Sequence, residues 1–147
     1  MAIFLIAFCA TALVHIFFMI PYVPSQNAVV KKMVKAAKLR RGAEVFDLGC
    51  GDGRLLIAAE KTAGAKGTGF EIAPLMYFLA KARLLLNRSH SRVLFQNLFS
   101  ASLKKADVIF CYLFPNVMPR LAAKIKRECR KGTRIISNTF RIPGLTL

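Results

Sequence analysis

From about residue 42 onward, the chain alternates short runs of β-branched and aromatic residues with segments whose apolar residues recur at helical spacing. Apolar residues at every third and fourth position predict helices, and short apolar runs bounded by turn residues predict buried strands. A chain that alternates the two buries its strands in a parallel sheet with right-handed helical connections. The predicted elements are strand 44–48, helix 55–61, strand 66–70, helix 74–87, strand 92–96, strand 107–113, helix 119–130 and strand 133–137. We therefore expect an α/β fold.

The charged residues divide the chain into two parts. Residues 1–30 contain no Lys, Arg, Asp or Glu, although the chain carries a net charge of +16. Residues 2–20 are apolar apart from Thr11 and His15, and 19 residues at 1.5 Å each nearly span the roughly 30 Å hydrocarbon core of a bilayer. This pattern predicts a transmembrane anchor over 1–21. The alternative is an N-terminal helix packed on protein, which His15 within the span favours.

The composition after the anchor fits one domain and a short lead-in. Six cations between residues 31 and 41 place the rest of the chain on the cytoplasmic side of the membrane by the positive-inside rule. We expect a proline-containing connector and an amphipathic helix over 22–41, and one domain over 42–147. The four cysteines form no CxxC pair, and with two histidines they give no zinc-site spacing, so we expect no metal.

A glycine-rich turn follows the first predicted strand. The segment Val45–Arg54 reads VFDLGCGDGR and leads into a predicted helix, so backbone N–H groups there can approach a ligand closely. Glu71 ends the next predicted strand, where a carboxylate can accept hydrogen bonds from a ribose. Three of the seven acidic residues, Asp47, Asp52 and Glu71, thus lie at two neighbouring strand ends. Alternatively, the two aspartates cap the turn and Glu71 caps the following helix.

The segment Val45–Arg54 together with Glu71 resembles motif I and the next acidic position of the class I S-adenosylmethionine-dependent methyltransferases. The resemblance implies a Rossmann-like parallel sheet and S-adenosyl-L-methionine as the cofactor. Asp47 would face the methionine end, Glu71 would hold the ribose, and Asn97 with Leu98 would lie near the adenine. The residues implied to bind cofactor are Asp47, Gly49, Gly51, Asp52, Glu71, Asn97 and Leu98.

A narrower resemblance covers most of the chain after Tyr22. The segments 22–25, 47–54, 110–116 and 132–137 are similar, in the same order, to one group of protein-lysine methyltransferases. That group includes small archaeal enzymes and membrane-anchored mitochondrial enzymes that modify inner-membrane proteins such as the c-ring protein of ATP synthase. It implies a protein-lysine N-methyltransferase acting on membrane or membrane-associated proteins, located at the mitochondrial inner membrane in a eukaryote and at the cytoplasmic membrane in a prokaryote.

The substrate channel is expected beside the cofactor, because ligands of parallel sheets bind at the carboxyl ends of the strands. Tyr112, Phe114, Asn116 and Asn138 follow predicted strands and are our candidates for its walls. Methyl transfer to an amine requires alignment and exclusion of water, and no obligate general base. Alternatively, the aromatic residues belong to the core and the asparagines cap turns.

Several alternatives stay open. Residues 120–134 carry seven cations on an amphipathic helix, which can be a solvated face, a contact with anionic lipid or, ranked last, an RNA contact. Rival functions are methylation of RNA or of a lipid-soluble small molecule, and cofactor binding without catalysis. Class I methyltransferases usually add a final strand pair that this sequence lacks, so we expect an exposed sheet edge, covered by a partner chain, left uncovered, or marking a truncated product.

Overall fold

The computed structural model describes residues 26–145, and five strands in that range form one parallel sheet. The strands are β1 (Glu44–Leu48), β2 (Lys66–Glu71), β3 (Arg92–Phe95), β4 (Val108–Cys111) and β5 (Arg134–Ser137), and their order across the sheet is β3-β2-β1-β4-β5. The central strand β1 pairs with β2 on one side and β4 on the other, with Val45 opposite Gly67 and Val108. The predicted parallel α/β fold is confirmed.

Four helices cover the two faces of the sheet. They are α1 (Asn27–Ala37), α2 (Arg54–Ala63), α3 (Pro74–Leu86) and α4 (Met118–Glu128), and a 3-10 turn over Pro115–Val117 precedes α4. Pro74 occupies the first turn of α3, where its missing N–H costs no helical hydrogen bond. Side chains alternate across β1, so its two faces bury two separate clusters.

One cluster joins α1 and α2 to the sheet through Val30, Val34, Leu55 and Val45. A second cluster on α2 and α3 packs Leu56, Ala80 and Leu84 together with Val93 of β3. The opposite face is covered by α4, whose inward residues include Met118, Leu121 and Ile125. The helices α1, α2 and α3 therefore share one layer, and α4 forms the other.

The connection from β3 to β4 contains no helix over residues 96–107, all of which the structure describes. It turns across the same face as α4, where Ala101 and Leu103 enter the core cluster of that helix. The Nζ of Lys124 on α4 donates to the Phe99 carbonyl at 3.1 Å, and the Arg120 guanidinium lies 4.0 Å from the centre of the Phe99 ring. These contacts fix the connection against α4 and so support the end of β3.

The sheet ends at β5, which within the described range pairs with β4 alone. The predicted anchor over 1–21 and the connector that follows it lie outside the described residues. None of the helices between residues 26 and 145 is long and apolar enough to cross a membrane.

Candidate active site

The carboxyl ends of four neighbouring strands meet at one level of the sheet. Leu48 is opposite both Phe70 and Cys111, and Cys111 is opposite Ser137. The next residue of each strand therefore falls into one row across the edge, and that row consists of Gly49, Glu71, Tyr112 and Asn138. Residues predicted separately to bind cofactor and substrate are thus brought side by side by the strand register.

The glycine-rich turn is attached to β2 by backbone hydrogen bonds. The N–H groups of Gly49 and Cys50 both donate to the Phe70 carbonyl, at 2.9 and 3.1 Å. Gly49 has a φ of 76°, in the left-handed region, and a Cβ added to it would lie 2.9 Å from Cδ2 of Leu113. A side chain at this position is therefore disfavoured by both backbone conformation and space.

Glu71 joins the turn to the start of α3. Its Oε2 accepts a hydrogen bond from the Gly51 N–H at 2.9 Å, and its Oε1 accepts from Ile72 at 2.9 Å and Ala73 at 2.8 Å. The capping role proposed as the alternative is therefore present. An ionised carboxylate offers about four acceptor positions, so Oε2 keeps one for a ligand hydroxyl.

Asp47 is a buried carboxylate, 5% exposed, near two others. Burial raises its pKa to about 7, and the negative charges of Glu71 and Asp52 add to the increase. Within residues 26–145 no hydrogen bond or ion pair engages its side chain. A cationic group bound at this edge would stabilise the ionised form, which makes Asp47 a fitting partner for an ammonium.

Asp52 is bound by two arginines. Its Oδ2 lies 2.6 Å from Nη2 of Arg54 and 3.1 Å from Nη2 of Arg83 on α3. Gly53 contributes to the same junction, because a Cβ there would lie 2.8 Å from Cδ1 of Leu84. The structure thus gives Asp52 and Gly53 a place in joining the turn to α2 and α3. Arg83 was not foreseen, since nothing local in the sequence connects it to Asp52.

Asn97 and Leu98 lie after β3, one strand beyond Glu71. Oδ1 of Asn97 accepts a hydrogen bond from the Phe99 N–H at 2.9 Å, and Leu98 packs on the core beneath α4. No contact within the described range joins either residue to Asp47 or Glu71. Closer candidates for an apolar ring contact are Ile72 and Phe95, which are both more than half exposed at adjoining strand ends. Their position directly beside Glu71 is the signal that could have identified them.

The four predicted channel residues fall into two pairs. Tyr112 and Asn138 are partly buried neighbours, because the Asn138 N–H donates to the Cys111 carbonyl at 3.0 Å. Phe114 and Asn116 are exposed farther along the loop that leads into α4. The structure therefore places the first pair in the row of strand ends and the second pair at its outer side.

A cavity of about 530 Å³ lies at the opposite, amino edge of the sheet. Its lining includes Glu60, His90 and Arg92. These groups already have partners: Glu60 accepts hydrogen bonds from the backbone N–H of His90 and Ser91, and Arg92 donates to Thr68. None of the predicted site residues lines this cavity, so the carboxyl edge is the candidate site.

Comparison with known proteins bears on this edge. A family model described as the ANTKMT methyltransferase domain matches residues 47–147. A protein-lysine N-methyltransferase of Saccharolobus islandicus is 36% identical over 128 residues, which cover 85% of this chain and 80% of the relative. A lysine N-methyltransferase of Xenopus laevis, named for the c-ring protein of ATP synthase, is 31% identical over 127 residues, 85% of this chain and 55% of the relative. The chain thus spans about half the length of that vertebrate relative.

Among solved structures, the fold is similar to the crystal structure of an RNA methyltransferase from Salinibacter ruber in complex with S-adenosyl-L-homocysteine. The TM-score is 0.81 at 30% sequence identity, and the similarity covers 84% of this chain and 82% of that one.

Proposed function

This chain belongs to the ANTKMT methyltransferase domain family of S-adenosylmethionine-dependent methyltransferases, and we propose that it methylates the side-chain amine of lysine in a membrane or membrane-associated protein. The observation that carries this proposal is the 36% identity to an archaeal protein-lysine N-methyltransferase across 80% of that enzyme. The vertebrate relative, named for its action on the c-ring protein of ATP synthase, supports a membrane-protein target.

The carboxyl edge has the chemistry that S-adenosylmethionine requires. The remaining acceptor position on Glu71 suits a ribose hydroxyl, and the carboxylate of Asp47, which has no partner within residues 26–145, suits the ammonium of the methionine portion. Gly49 and Gly51 allow the cofactor to approach the backbone. Asn97 and Leu98 stay proposed as adenine neighbours. A direct contact from Asp52 is also proposed, although its two arginine partners favour a supporting role.

The bound cofactor supplies an electrophilic methyl group on a sulfonium, and the protein must bring a neutral amine into line with it. A free lysine at pH 7 is almost wholly protonated, which costs about 4 to 5 kcal/mol to reverse. We assign Tyr112 and Asn138 to the inner wall that orients the amine and excludes water, and Phe114 and Asn116 to the outer wall. Desolvation between these side chains lowers the pKa of the incoming ammonium, so no obligate general base is needed.

The proposed location follows from the sequence before residue 42. We propose that residues 1–21 anchor the chain, that 22–41 connect the anchor to the domain, and that the methyltransferase domain over 42–147 faces the cytoplasmic side. In a eukaryote, the mitochondrial inner membrane is the proposed site. A lysine of a membrane protein near the bilayer surface is then within reach.

A second candidate function is RNA methylation. It is favoured by the similarity to the Salinibacter ruber RNA methyltransferase and by the net charge of +16, which suits a polyanion. Seven of the cations lie between residues 120 and 134. The identity to the lysine methyltransferase is the stronger observation, because it exceeds the identity to the RNA enzyme over a comparable share of both chains.

The two functions are separated by offering both substrates at once. We expect full-length protein, given methyl-labelled S-adenosylmethionine with membranes and total RNA, to label the protein fraction, and acid hydrolysis to release methyl-lysine. A Tyr112→Ala variant should lower the labelling at least about tenfold while cofactor affinity is retained, because it removes a channel wall. Label that protease spares and ribonuclease removes would replace the lysine proposal with the RNA one.

A further inference from the structure

The helix α3 is apolar on its outer side as well as its inner side. Its inward residues Ala80 and Leu84 are buried against α2 and β3. Five large apolar side chains face outward, each with between 39% and 84% of its surface exposed. Together with exposed Ala82 they form the outer stripe of α3: Leu75, Phe78, Leu79, Ala82, Leu85 and Leu86. Residues at this spacing share one face of a helix, and a helix apolar all round is normally covered all round.

Cations border the outer stripe, and acidic residues are absent around it. Lys81 and Arg83 lie about 100° to either side of the middle of the stripe at 3.6 residues per turn. Exposed Arg88 follows the end of the helix. The sequence has no acidic residue between Glu71 and Asp107. Apolar side chains flanked by Lys and Arg are the pattern of a helix that lies in the interface of an anionic membrane.

A second copy of the chain is a poor occupant for the outer stripe. The stripe runs over 12 residues, which at 1.5 Å each is about 17 Å, and a helix face is about 10 Å wide. Stable dimers bury about 800 Å² on each partner. Two copies, each with a net charge of +16, would also repel each other.

We propose that α3 is an interfacial helix that seats the domain on a bilayer containing anionic phospholipid. The outer stripe enters the headgroup boundary, and Lys81 and Arg88 contact lipid phosphates. The uncharged run over residues 2–20 of the same chain supports a lipid occupant, because it is long enough to enter a bilayer.

Seating on α3 also sets the distance between the site and the lipid. The helix starts three residues after Glu71 and has 13 residues, so it is about 20 Å long. The carboxyl edge is then held within about one helix length of the bilayer surface. This inference concerns where the domain lies, and it holds or fails independently of which group is methylated.

Tryptophan fluorescence tests the inference on the full chain, which contains no tryptophan. Phe78→Trp places a reporter in the outer stripe. Ala123→Trp places a matched reporter at an exposed position of α4, on the other face of the sheet. In vesicles of phosphatidylcholine and phosphatidylglycerol with brominated acyl chains, we expect bromine to quench about half or more of the emission at residue 78 and little at residue 123.

Three results would overturn the proposal. Emission at residue 78 that is shifted to the blue but not quenched by bromine would mean that protein covers the stripe. Stronger quenching at residue 123 would mean that α4 faces the lipid. Unchanged quenching when phosphatidylglycerol is omitted, or in Lys81→Gln with Arg88→Gln, would remove the role of anionic lipid. If Phe78→Trp unfolds, Leu85→Trp serves as the reporter, since Leu85 is 79% exposed.

Discussion

At the scale of single residues, Asp47 places stability and cofactor binding in opposition. Burial, followed by the charges of Glu71 and Asp52, raises its pKa to about 7 from an ordinary value of 3.8. A raised carboxyl pKa means that the folded state holds its proton longer than the unfolded state does. The stability of the free protein therefore falls as the pH rises from about 4 to about 7. A bound cation would compensate for the charge that the fold buries there.

The affinity for S-adenosylmethionine is accordingly expected to depend on pH through Asp47. Because the ammonium favours the ionised carboxylate, affinity should rise about tenfold between pH 6 and pH 8 as one proton is released. Asp47→Asn should bind more weakly and lose this slope, yet unfold at a higher temperature at pH 7. Calorimetric titrations at several pH values measure the affinities, and thermal unfolding measures the stability. The same slope in the variant would remove Asp47 from the site.

The site residues that the sequence identified are those whose partners are local or set by strand register. Gly49 and Glu71 could be found because a turn after one strand and a carboxylate at the end of the next must meet in a parallel sheet. Arg83 and Lys124 could not be found, because their partners depend on how helices pack. Whether the identified residues bind cofactor or substrate stays a prediction.

At the scale of elements, the ends of strands are determined by their neighbours. The apolar run predicted a strand over 107–113, but β4 ends at Cys111, where the paired strands β1 and β5 also end. Tyr112 and Leu113 therefore leave the sheet and reach the site. The helix predicted over 119–130 is present as α4, whereas the 3-10 turn before it has no periodic signature and was not foreseen.

The helix α4 contains a buried ion pair that links it to the β3–β4 connection. Lys124 is 4% exposed, and its Nζ lies 2.9 Å from Glu128, which also accepts a hydrogen bond from the Leu103 N–H. Burial raises the pKa of Glu128, but hydrogen bonds from Lys124, Arg127 and Leu103 outweigh it and lower the pKa to about 2. This stabilisation is present above about pH 4.5 and is lost as the pH falls toward 2.

Glu128→Gln should therefore destabilise the protein by about 2 to 4 kcal/mol at pH 7, because it leaves Lys124 buried without a counter-charge. The loss should shrink as the pH falls toward 2. Urea unfolding in detergent micelles measures it, with Arg127→Gln as a control expected to change stability by less than about 1 kcal/mol. Adding Lys124→Met to Glu128→Gln should recover part of the stability. Equal losses at pH 7 and pH 3 would contradict the role of the ion pair.

At the scale of the whole molecule, the parallel sheet has two unlike edges. Both carry a glutamate that accepts backbone hydrogen bonds, Glu71 at the carboxyl edge and Glu60 at the amino edge. The alternating pattern was sufficient to predict the sheet and its carboxyl edge as the site. It was insufficient to reveal the outer stripe of α3, because periodicity shows that a helix is apolar and cannot show which of two apolar faces the protein covers.

These two glutamates allow a direct test of the central claim, that the carboxyl edge binds S-adenosylmethionine. The measurement is calorimetric titration of the cofactor into the full chain, into Glu71→Gln and into Glu60→Gln, which remove the same charge from opposite edges. We predict that Glu60→Gln binds like the unaltered protein, and that Glu71→Gln loses affinity by about tenfold to a hundredfold, the value of a hydrogen bond to a charged group. Unchanged affinity in Glu71→Gln, or an equal loss in both variants, would contradict the account.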